Sequence, residues 1–334
     1  MSTINTTPPP TNFHRASNVK SRPLVSVIIP AYKVAGFIRE TLDSVLSQTF
    51  DSYEIVVIND GSPDSLEFED QIKPYSHLIT YLKQSNQGAG AARNAGIRAA
   101  RGEFVAFLDG DDVWLPSFLR EQLELIGSDG GYDLVYANAI NFTSTGLSRS
   151  TNMDVNPSEG AVTVESLISA RCNVITSSVV ARRSSIVAAD YFDESFRNSQ
   201  DFDLWLRLAK RGSRMTYQKR VLVHRRIYEG SLASNPVKSL EGEIKVLEKA
   251  RQKGDLTEAE QTALFRTLDL RRATAEVFRG KQGLSSGNFN SALKDFNLAN
   301  KYFQSWKLRM VMLCLRVAPR LLQRAYKVRA TTQD

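Results

Sequence analysis

Three aspartates lie directly after a short apolar run, and their spacing is typical of a site that does chemistry. The run spans residues 104–108, and Asp109, Asp111 and Asp112 then surround Gly110. A short apolar run bounded by polar turn residues predicts a buried strand. Carboxylates crowded at one point repel each other unless a cation lies among them, and Mg²⁺ is commonly held by one or two carboxylates plus substrate phosphates. The cluster by itself fits metal and phosphate chemistry and a solvated acidic turn equally well.

The elements around these aspartates alternate between strand and helix. Apolar and β-branched runs predict strands at residues 24–29, 53–58, 78–82 and 104–108. Helical periodicity between them predicts helices over residues 38–46 and 88–100. This alternation predicts a parallel α/β sheet with right-handed crossovers. Pro30, Asp60 and Asp109 then follow the carboxyl ends of three strands, and we expect them to share one crevice.

A glycine-rich stretch at residues 88–96 offers a competing interpretation, a dinucleotide-binding loop. It opens a predicted helix, and Asp109 follows about twenty residues later, as a ribose-binding acid would. However, that fingerprint belongs after the first strand, and here two strand–helix units precede it. The remaining interpretation is a helix of small residues packed closely on the sheet, with Arg93 in its first turn.

The second half of the sheet region is less regular. The pattern predicts strands at residues 132–140, 173–180 and 221–223, and loop or edge structure over 141–162. Residues 199–208 read as a helix, with Asp201 and Asp203 near its beginning. The helix dipole favours carboxylates there, so capping accounts for both acids on spacing alone.

Composition limits the possible functions. The chain has 334 residues and a formal net charge of +7. From residue 301 to the end there are eight basic residues and one acid, so the whole excess lies in that segment and general nucleic-acid binding is excluded. Two distant cysteines indicate a reducing compartment. No stretch has the length of an apolar transmembrane helix, and residues 1–22 are polar and Pro-rich, which predicts a disordered lead-in without a signal peptide.

Helical patterns dominate after residue 235. They predict helices over residues 237–252, 257–279, 289–303 and 305–327. The last helix carries a basic stripe beside apolar residues, and Pro319 is expected to kink it. Such a segment, residues 305–329, is typical of an interfacial helix on an anionic membrane surface. The alternative is a helix packed onto its own domain with its basic side in water.

Six motifs, in order, resemble those of family-2 glycosyltransferases with the GT-A fold. They are Val-Ser-Val-Ile-Ile-Pro-Ala-Tyr at 25–32, Ile-Asn-Asp-Gly-Ser at 58–62, Ala-Arg-Asn-Ala-Gly at 92–96, Phe-Leu-Asp-Gly-Asp-Asp-Val-Trp at 107–114, Phe-Asp-Glu at 192–194 and Gln-Asp-Phe-Asp-Leu-Trp-Leu-Arg at 200–207. The resemblance implies a Rossmann-like, mostly parallel sheet flanked by helices. It also implies a glycosyltransferase domain over residues 23–235, with a nucleotide-binding half at 23–115, an acceptor half at 116–235 and a helical region at 236–334.

The resemblance further implies an inverting, metal-dependent hexosyltransferase that uses a nucleotide-diphosphate sugar, expected to be a UDP-sugar, with Mg²⁺ or Mn²⁺. By the family's pattern the residues that bind the nucleotide sugar are Pro30, Ala31, Tyr32, Asp60, Arg93, Asp109 and Gly110. Asp60 would accept a hydrogen bond from the base, Asp109 and Asp111 would hold the metal, and Asp201 would be the catalytic base. The chemistry agrees, because the incoming hydroxyl must lose its proton on the face opposite the leaving group, so one carboxylate must stand away from the metal cluster.

The chain departs from the family's pattern at two positions. Gln200 stands where an acid often precedes the base, which removes one negative charge beside Asp201. Tyr228 stands where a His is frequent, in a later loop motif that here comprises Arg226, Tyr228, Gly230, Ser231 and Ser234. A role of that His in holding metal or diphosphate does not carry over to this chain.

Two alternative functions remain open. A sugar-phosphate nucleotidyltransferase would share the strand-end nucleotide site, but it would need a Gly-rich phosphate loop where residues 30–33 stand. A catalytically inactive nucleotide-sugar-binding relative is disfavoured by the intact Asp109, Asp111 and Asp201. For an active enzyme the resemblance implies a glycan or lipid-linked acceptor, in polysaccharide, O-antigen or other cell-surface glycan assembly. The expected location is the cytoplasm or the inner face of the cell membrane.

Overall fold

The computed structural model describes residues 22–228, 230–231 and 235–331. Apart from its last residue, the lead-in predicted over residues 1–22 lies outside the described residues, as does Ser234. The described residues fall into two compact units, one up to Tyr228 and the other after residue 229. Within these ranges, no helix combines the length and the apolar character needed to span a bilayer.

The first unit begins with the regular alternation that the sequence predicts. Its elements in chain order are β1 (Val25–Ala31), α1 (Ile38–Leu46), β2 (Tyr53–Asp60), α2 (Ser65–Ile72), β3 (Ile79–Gln84), α3 (Ala89–Ala99) and β4 (Phe104–Phe107). The rest of this unit comprises β5 (Val113–Trp114), α4 (Phe118–Gly127), β6 (Leu134–Thr143), β7 (Gly146–Thr151), α5 (Asn152–Val155), α6 (Val164–Ile168), β8 (Val179–Arg182), α7 (Arg183–Ala188), α8 (Gln200–Lys210) and β9 (Met215–Arg226).

One predicted strand of the second half is largely wrong. Residues 173–180 were expected to form a strand, but Thr176–Ser178 form a 3-10 turn and the strand β8 begins only at Val179. The physical reason is local competition, because Ser and Thr side chains can bond to neighbouring groups in place of a strand ladder. Here the Ser178 hydroxyl donates to the Ile175 carbonyl at 2.8 Å, which is such a local bond. The hydroxyls of Thr176 and Ser177 donate to the distant carboxylates of Asp201 and Asp112.

All nine strands of the first unit belong to one sheet. The order is β3-β2-β1-β4-β8-β6-β9-β5, and β7 pairs with β6. The strands β3, β2, β1 and β4 are parallel, β8 runs antiparallel to both β4 and β6, and β9 is parallel to β6. Pro30 is in register with Ile58, and Ile28 with Phe107. The carboxyl ends of β1, β2 and β4 therefore lie together at one edge, as expected from the sequence.

The core between the sheet and its helices explains the glycine of the Ala-Arg-Asn-Ala-Gly motif. Gly96 lies on α3, and a Cβ added there would be 2.5 Å from Cγ2 of Ile28 and 2.9 Å from Cδ1 of Ile58. Ile28 and Ile58 are fully buried. Since atoms cannot approach so closely, only glycine lets α3 pack at this distance from β1 and β2.

The second unit is helical. Its elements are α9 (Pro236–Lys253), α10 (Glu258–Ser286), α11 (Phe289–Phe303), α12 (Trp306–Val317) and α13 (Pro319–Thr331). Leu284, Ala292, Phe296 and Leu315 form a small buried core among them. The helix predicted over residues 305–327 is divided into α12 and α13 at Pro319, where a kink is expected from the sequence. The chain leaves α12 at Ala318, because Pro319 has no N–H for a continuing helix but is well suited to the first position of a new one.

Candidate functional site

The acidic loop after β4 is held in place by Asp112. The Asp112 amide donates to the Asp109 carbonyl across 3.0 Å and so closes the turn. The Asp112 carboxylate is buried and accepts hydrogen bonds from Ser177 Oγ at 2.6 Å and from the Arg226 amide at 2.9 Å. Asp112 thus fastens the loop to the 3-10 turn and to β9, which leaves Asp109 and Asp111 as the acids available to a ligand.

Asp109 forms an ion pair with Arg93. The Arg93 Nη2 atom lies 2.5 Å from Asp109 Oδ1, and the Asp109 side chain is 39% exposed whereas that of Arg93 is only 5% exposed. Within the described part of the chain, Arg93 Nε and Nη1 have no hydrogen-bond partner. The guanidinium also lies over the ring of Phe192, 5.6 Å from its centroid. A buried arginine with two unsatisfied donors indicates a place for acceptor atoms of a ligand.

Asp111 lies in an environment of concentrated negative charge. Burial, and then the charge of Asp109, raise the pKa of Asp111 to about 6, although a hydrogen bond from the Tyr228 hydroxyl opposes the shift. Burial, and then the charges of Asp111 and Asp109, raise the pKa of Asp112 as well. Carboxylates that repel each other in this way favour the entry of a cation. The hydrogen bond to Asp111 also means that Tyr228, which stands where the family often has a His, contacts the acidic loop directly.

The carboxylate oxygens of Asp109 and Asp111 are metal ligands of the type that Mg²⁺ and Mn²⁺ prefer. Among the described residues, no group of three His, Cys, Asp or Glu side chains is arranged as a complete metal site. A metal held here would therefore need further ligands, which a bound diphosphate can supply. Asp109 and Asp111 fit such an incomplete site.

Arg226 connects the end of β9 to the acidic loop. Its Nε donates to the Asp111 carbonyl at 2.9 Å, and its Nη2 forms an ion pair with Glu40. The guanidinium also lies between two rings, 4.6 Å from the centroid of Phe37 and 4.3 Å from that of Phe142. Because these contacts fix Arg226, they also fix the segment that leads to Tyr228.

Asp60 is buried and its carboxylate anchors the loop before α3. The Oδ1 atom accepts from Gln84 Nε2 at 2.8 Å and from the Gln87 amide at 2.9 Å, while Oδ2 accepts from the Gly88 amide at 2.8 Å. Gly88 has a φ of 96°, a conformation that favours glycine. A carboxylate oxygen accepts two hydrogen bonds, so Oδ2 retains capacity for one more. The expected hydrogen bond from a base to Asp60 stays a prediction, with Oδ2 as its acceptor.

The end of β1 lies against the acidic loop. A Cβ added at Gly110 would be 3.1 Å from the Pro30 carbonyl oxygen, so the glycine of the Asp-Gly-Asp motif permits this approach. Ala31 is buried, whereas Tyr32 is 45% exposed. Lys33 follows with a φ of 58°, and its amide donates to Ser62 Oγ at 2.6 Å. The structure therefore brings Pro30, Ala31 and Tyr32, which the resemblance assigns to nucleotide-sugar binding, to the edge that carries Asp60 and Asp109.

Asp201 is joined to the acidic loop through two consecutive residues of the 3-10 turn. Thr176 Oγ1 donates to Asp201 Oδ2 at 2.6 Å. The next residue, Ser177, donates to Asp112 and accepts from the Asp109 amide at 3.2 Å. Asp201 Oδ1 accepts from the Phe202 amide at 2.8 Å, so part of the capping interpretation is correct. The same contacts bring Asp201 beside the acidic loop, from which about ninety residues separate it in the sequence.

Asp203 has a different environment. It is buried, and its Oδ2 lies 2.7 Å from Arg207 Nε. Arg207 in turn donates to the Tyr191 carbonyl at 2.6 Å and to the Ala189 carbonyl. Arg207 therefore holds α8 to the segment before it, and Asp203, one turn earlier on the same helix, fixes the Arg207 guanidinium.

The motif residues Asn94 and Phe192 bond to each other. Asn94 Nδ2 donates to the Phe192 carbonyl at 2.8 Å and to Glu194 Oε1 at 2.9 Å, and its Oδ1 accepts from the Phe192 amide at 2.9 Å. Gln200 is buried as well, and its Oε1 has no hydrogen-bond partner among the described residues. A Cβ added at Gly90 would be 3.2 Å from Gln200 Cγ, so Gln200 packs at the beginning of α3.

Sequence reasoning missed Thr176 and Ser177. The only available signal was the run of hydroxyl residues at 176–178 inside an otherwise apolar stretch. Asn94 belongs to the motif at residues 92–96, but its role in holding residues 192–194 is visible only in the structure.

Comparisons with known proteins agree with this geometry. The family model described as Glycosyl transferase family 2 matches residues 26–174. The chain is 30% identical over 227 residues to an uncharacterized glycosyltransferase of Rickettsia prowazekii, RP339, covering 66% of this chain and 69% of that protein. It is also 30% identical over 230 residues to WfaP of Escherichia coli, a UDP-Glc:alpha-D-GlcNAc-diphosphoundecaprenol beta-1,3-glucosyltransferase, covering 67% and 85%.

A solved structure shows the same fold. The mannosyltransferase PcManGT of Pyrobaculum calidifontis, in complex with GDP-Man and Mn²⁺, superposes with a TM-score of 0.61 at 18% identity, over 99% of this chain and 90% of that one. The resemblance stated from the motifs and the predicted GT-A fold are both confirmed.

Proposed function

Because the chain belongs to glycosyltransferase family 2, we propose that it transfers a sugar from a nucleotide-diphosphate sugar to a hydroxyl acceptor with inversion at the anomeric carbon. The observation that carries this proposal is the link through Thr176 and Ser177, which sets Asp201 beside the acidic loop. Inversion needs a metal ion or another acid that assists the leaving group. It also needs a separate carboxylate that takes the proton of the incoming hydroxyl. Asp201 lies on a different element from Asp109 and Asp111, which supports that division of roles.

The nucleotide would bind at the strand-end edge. Asp60 Oδ2 has capacity for a base N–H, and Pro30, Ala31 and Tyr32 lie at the same edge. Arg93 offers two donors that no described residue uses, suited to ribose or phosphate oxygens. A UDP-sugar is the proposed donor, in agreement with the UDP-Glc in the name of WfaP.

Mg²⁺ or Mn²⁺ would be held by Asp109 and Asp111, as the Mn²⁺ in the PcManGT complex supports. When bound, such an ion neutralises the negative charge that develops on a departing diphosphate. The chain's own contribution is to fix the two acids: Asp112 anchors the loop, and Tyr228 donates to Asp111.

Asp201 would act as the general base. An Asp201 carboxylate oxygen takes the proton of the acceptor hydroxyl. At the same time the hydroxyl oxygen of the acceptor bonds to the anomeric carbon, and the bond from that carbon to the diphosphate oxygen breaks. Hydrogen bonds from the Thr176 hydroxyl and the Phe202 amide, one to each oxygen, fix the Asp201 carboxylate.

The acceptor would be a glycan or a lipid-linked sugar in polysaccharide, O-antigen or other cell-surface glycan assembly, at the cytoplasmic side of the membrane. The name of WfaP, which specifies a diphosphoundecaprenol acceptor, supports the lipid-linked class. The expected anionic membrane surface is a separate proposal, because it rests on the helical unit alone.

The test is a turnover assay with UDP-sugars, Mn²⁺ and lipid-linked acceptors, in which released UDP and the anomeric configuration of the product are measured. Release of UDP with an inverted glycoside is the expected result. Formation of pyrophosphate from UTP and a sugar phosphate would instead show a nucleotidyltransferase. Tight UDP-sugar binding without turnover of any donor and acceptor would show the inactive relative.

A further inference from the structure

The helix α12 has a second apolar side that the described part of the chain leaves uncovered. Trp306, Met310, Leu313 and Val317 are 69%, 49%, 52% and 77% exposed. They follow each other at steps of four, three and four residues, which places them in one stripe along the helix. Four large apolar side chains exposed in a row are unusual on a water-soluble surface and indicate an interaction site.

The stripe lies opposite the side that α12 uses for its own packing. Leu308, Val311, Met312 and Leu315 pack in the core of the second unit. At about 100° per residue, the centre of this buried group lies about 180° around the helix from the exposed stripe. The exposed stripe is therefore not needed to hold the helical unit together.

Basic side chains flank the stripe on both sides. The same helical arithmetic puts Lys307 on one flank and Arg309 and Arg316 on the other. The next helix, α13, adds exposed Arg320 and Arg324. From residue 301 to residue 327 the sequence contains seven basic residues and no acid. Within residues 235–331, no ion pair is formed by five of these basic residues, namely Lys307, Arg309, Arg316, Arg320 and Arg324.

The helix α13 is fixed to the rest of its unit. Gln323 Nε2 donates to the Ser285 carbonyl of α10 at 3.0 Å. Leu322 and Tyr326 pack against the core, whereas Leu321 is 67% exposed. The basic residues of α13 are thus presented on an anchored helix.

We propose that this surface binds the headgroup region of an anionic lipid bilayer. We call it the basic apolar face, and it consists of Trp306, Lys307, Arg309, Met310, Leu313, Arg316, Val317, Arg320, Leu321 and Arg324. In such a complex the apolar stripe is buried at the boundary between the lipid headgroups and the acyl chains. The Lys and Arg side chains on its flanks contact the lipid phosphates. Tryptophan is enriched at this depth in membranes. The inference goes beyond sugar transfer and does not depend on it.

Other occupants fit the chemistry less well. A second copy of the chain would bring two sets of uncompensated positive charges together, which is repulsive. A nucleic acid would use the basic residues and stack on aromatic rings, but it has no use for an aliphatic stripe such as Met310, Leu313 and Val317.

The arrangement of the tryptophans provides a direct readout. The chain has three, and Trp114 and Trp205 are 1% and 2% exposed whereas Trp306 is 69% exposed. We expect full-length protein to show a blue shift of tryptophan emission with phosphatidylglycerol-containing vesicles at low salt. The shift should be absent with pure phosphatidylcholine and reversed by high salt. Trp306→Phe should lose the shift but still co-sediment with the anionic vesicles. Failure of the native chain to co-sediment with anionic vesicles at low salt would overturn the proposal.

Matched variants separate this face from the overall charge. Arg316→Gln/Arg320→Gln/Arg324→Gln should weaken partitioning to anionic vesicles about 100-fold, from three lost basic contacts. Lys238→Gln/Lys253→Gln/Lys281→Gln removes the same charge from exposed positions on α9 and α10 and should leave partitioning nearly unchanged. Equal weakening by both triple variants would overturn the assignment to this face.

The apolar half is tested with Met310→Ser/Leu313→Ser/Val317→Ser, which should abolish co-sedimentation. Phe265→Ser, at an exposed apolar position on α10, is the control and should bind normally. Light scattering that shows concentration-dependent dimers without vesicles, lost in the triple serine variant, would favour a second copy. Tighter binding of a single-stranded oligonucleotide than of vesicles would favour nucleic acid. Either result would overturn the bilayer proposal.

Discussion

The hydroxyl of Thr176 donates a 2.6 Å hydrogen bond to the Asp201 carboxylate, although neither residue is close in sequence to the acidic loop that they adjoin. Ser177, the next residue, bonds to Asp112 at 2.6 Å. A short 3-10 turn therefore joins the candidate base to the candidate metal loop. This turn therefore sets the distance between the candidate base and the candidate metal ligands.

Asp201→Asn should lower turnover on the order of 10²–10⁴-fold, because an amide cannot take the proton of the acceptor hydroxyl. Donor affinity, measured by calorimetry, should stay close to that of the native chain. Asp70→Asn, at an exposed position on α2, removes one carboxylate elsewhere and should be fully active. Normal turnover by Asp201→Asn would show that its carboxylate serves only the helix.

Thr176→Val should lower kcat about tenfold at unchanged KM for the donor, since loss of the hydrogen bond leaves the Asp201 carboxylate held only by the Phe202 amide. Thr176→Ser keeps the hydroxyl and should restore the rate. Thr80→Val, a similarly buried position on β3, controls for the change in shape. A variant of Thr176 that changes thermal stability but not kcat would assign the residue to structure alone.

Asp203→Asn should destabilise the fold by about 3 kcal/mol, because it leaves the partly buried Arg207 without its carboxylate. The folded fraction should keep normal turnover. Urea denaturation together with turnover per folded molecule measures both effects. A stable variant that turns over no donor would mean that Asp203, and not Asp201, is the base.

Asp111→Ala should abolish the dependence of UDP binding on Mn²⁺, since it removes one of the two proposed metal ligands. Calorimetry with and without chelator measures this dependence. Asp64→Ala, outside the acidic loop, should keep it. Equal UDP affinity of native protein in the presence and absence of chelator would contradict the metal site.

Gly96→Ala should destabilise the first unit by about 1–3 kcal/mol, because the new methyl group would lie 2.5 Å from Ile28 Cγ2. Gly127→Ala, where an added Cβ has no neighbour within 4 Å, is the matched control and should not destabilise the chain. Equal unfolding temperatures for the two variants would show that α3 can move away from the sheet.

Local sequence patterns are sufficient to predict the first half of the sheet and the edge at which the candidate site lies. Short apolar runs alternating with helical patterns are local signals, and parallel strands necessarily bring their carboxyl ends together. These signals alone are therefore enough to place Pro30, Asp60 and Asp109 at one edge. The same local signals located Asp201 near the beginning of a helix, but they did not distinguish it from Asp203.

The different surroundings of those two aspartates become visible only in the tertiary structure, because Asp201 contacts a residue 25 positions earlier in the chain. Asp201 meets Thr176 and Asp203 meets Arg207, and sequence spacing contains no information on which side of α8 faces the acidic loop. Likewise, the exposure of Trp306 follows from which side of α12 packs on its neighbours. Local propensity sets which elements form, whereas long-range packing sets which side chains remain available for function.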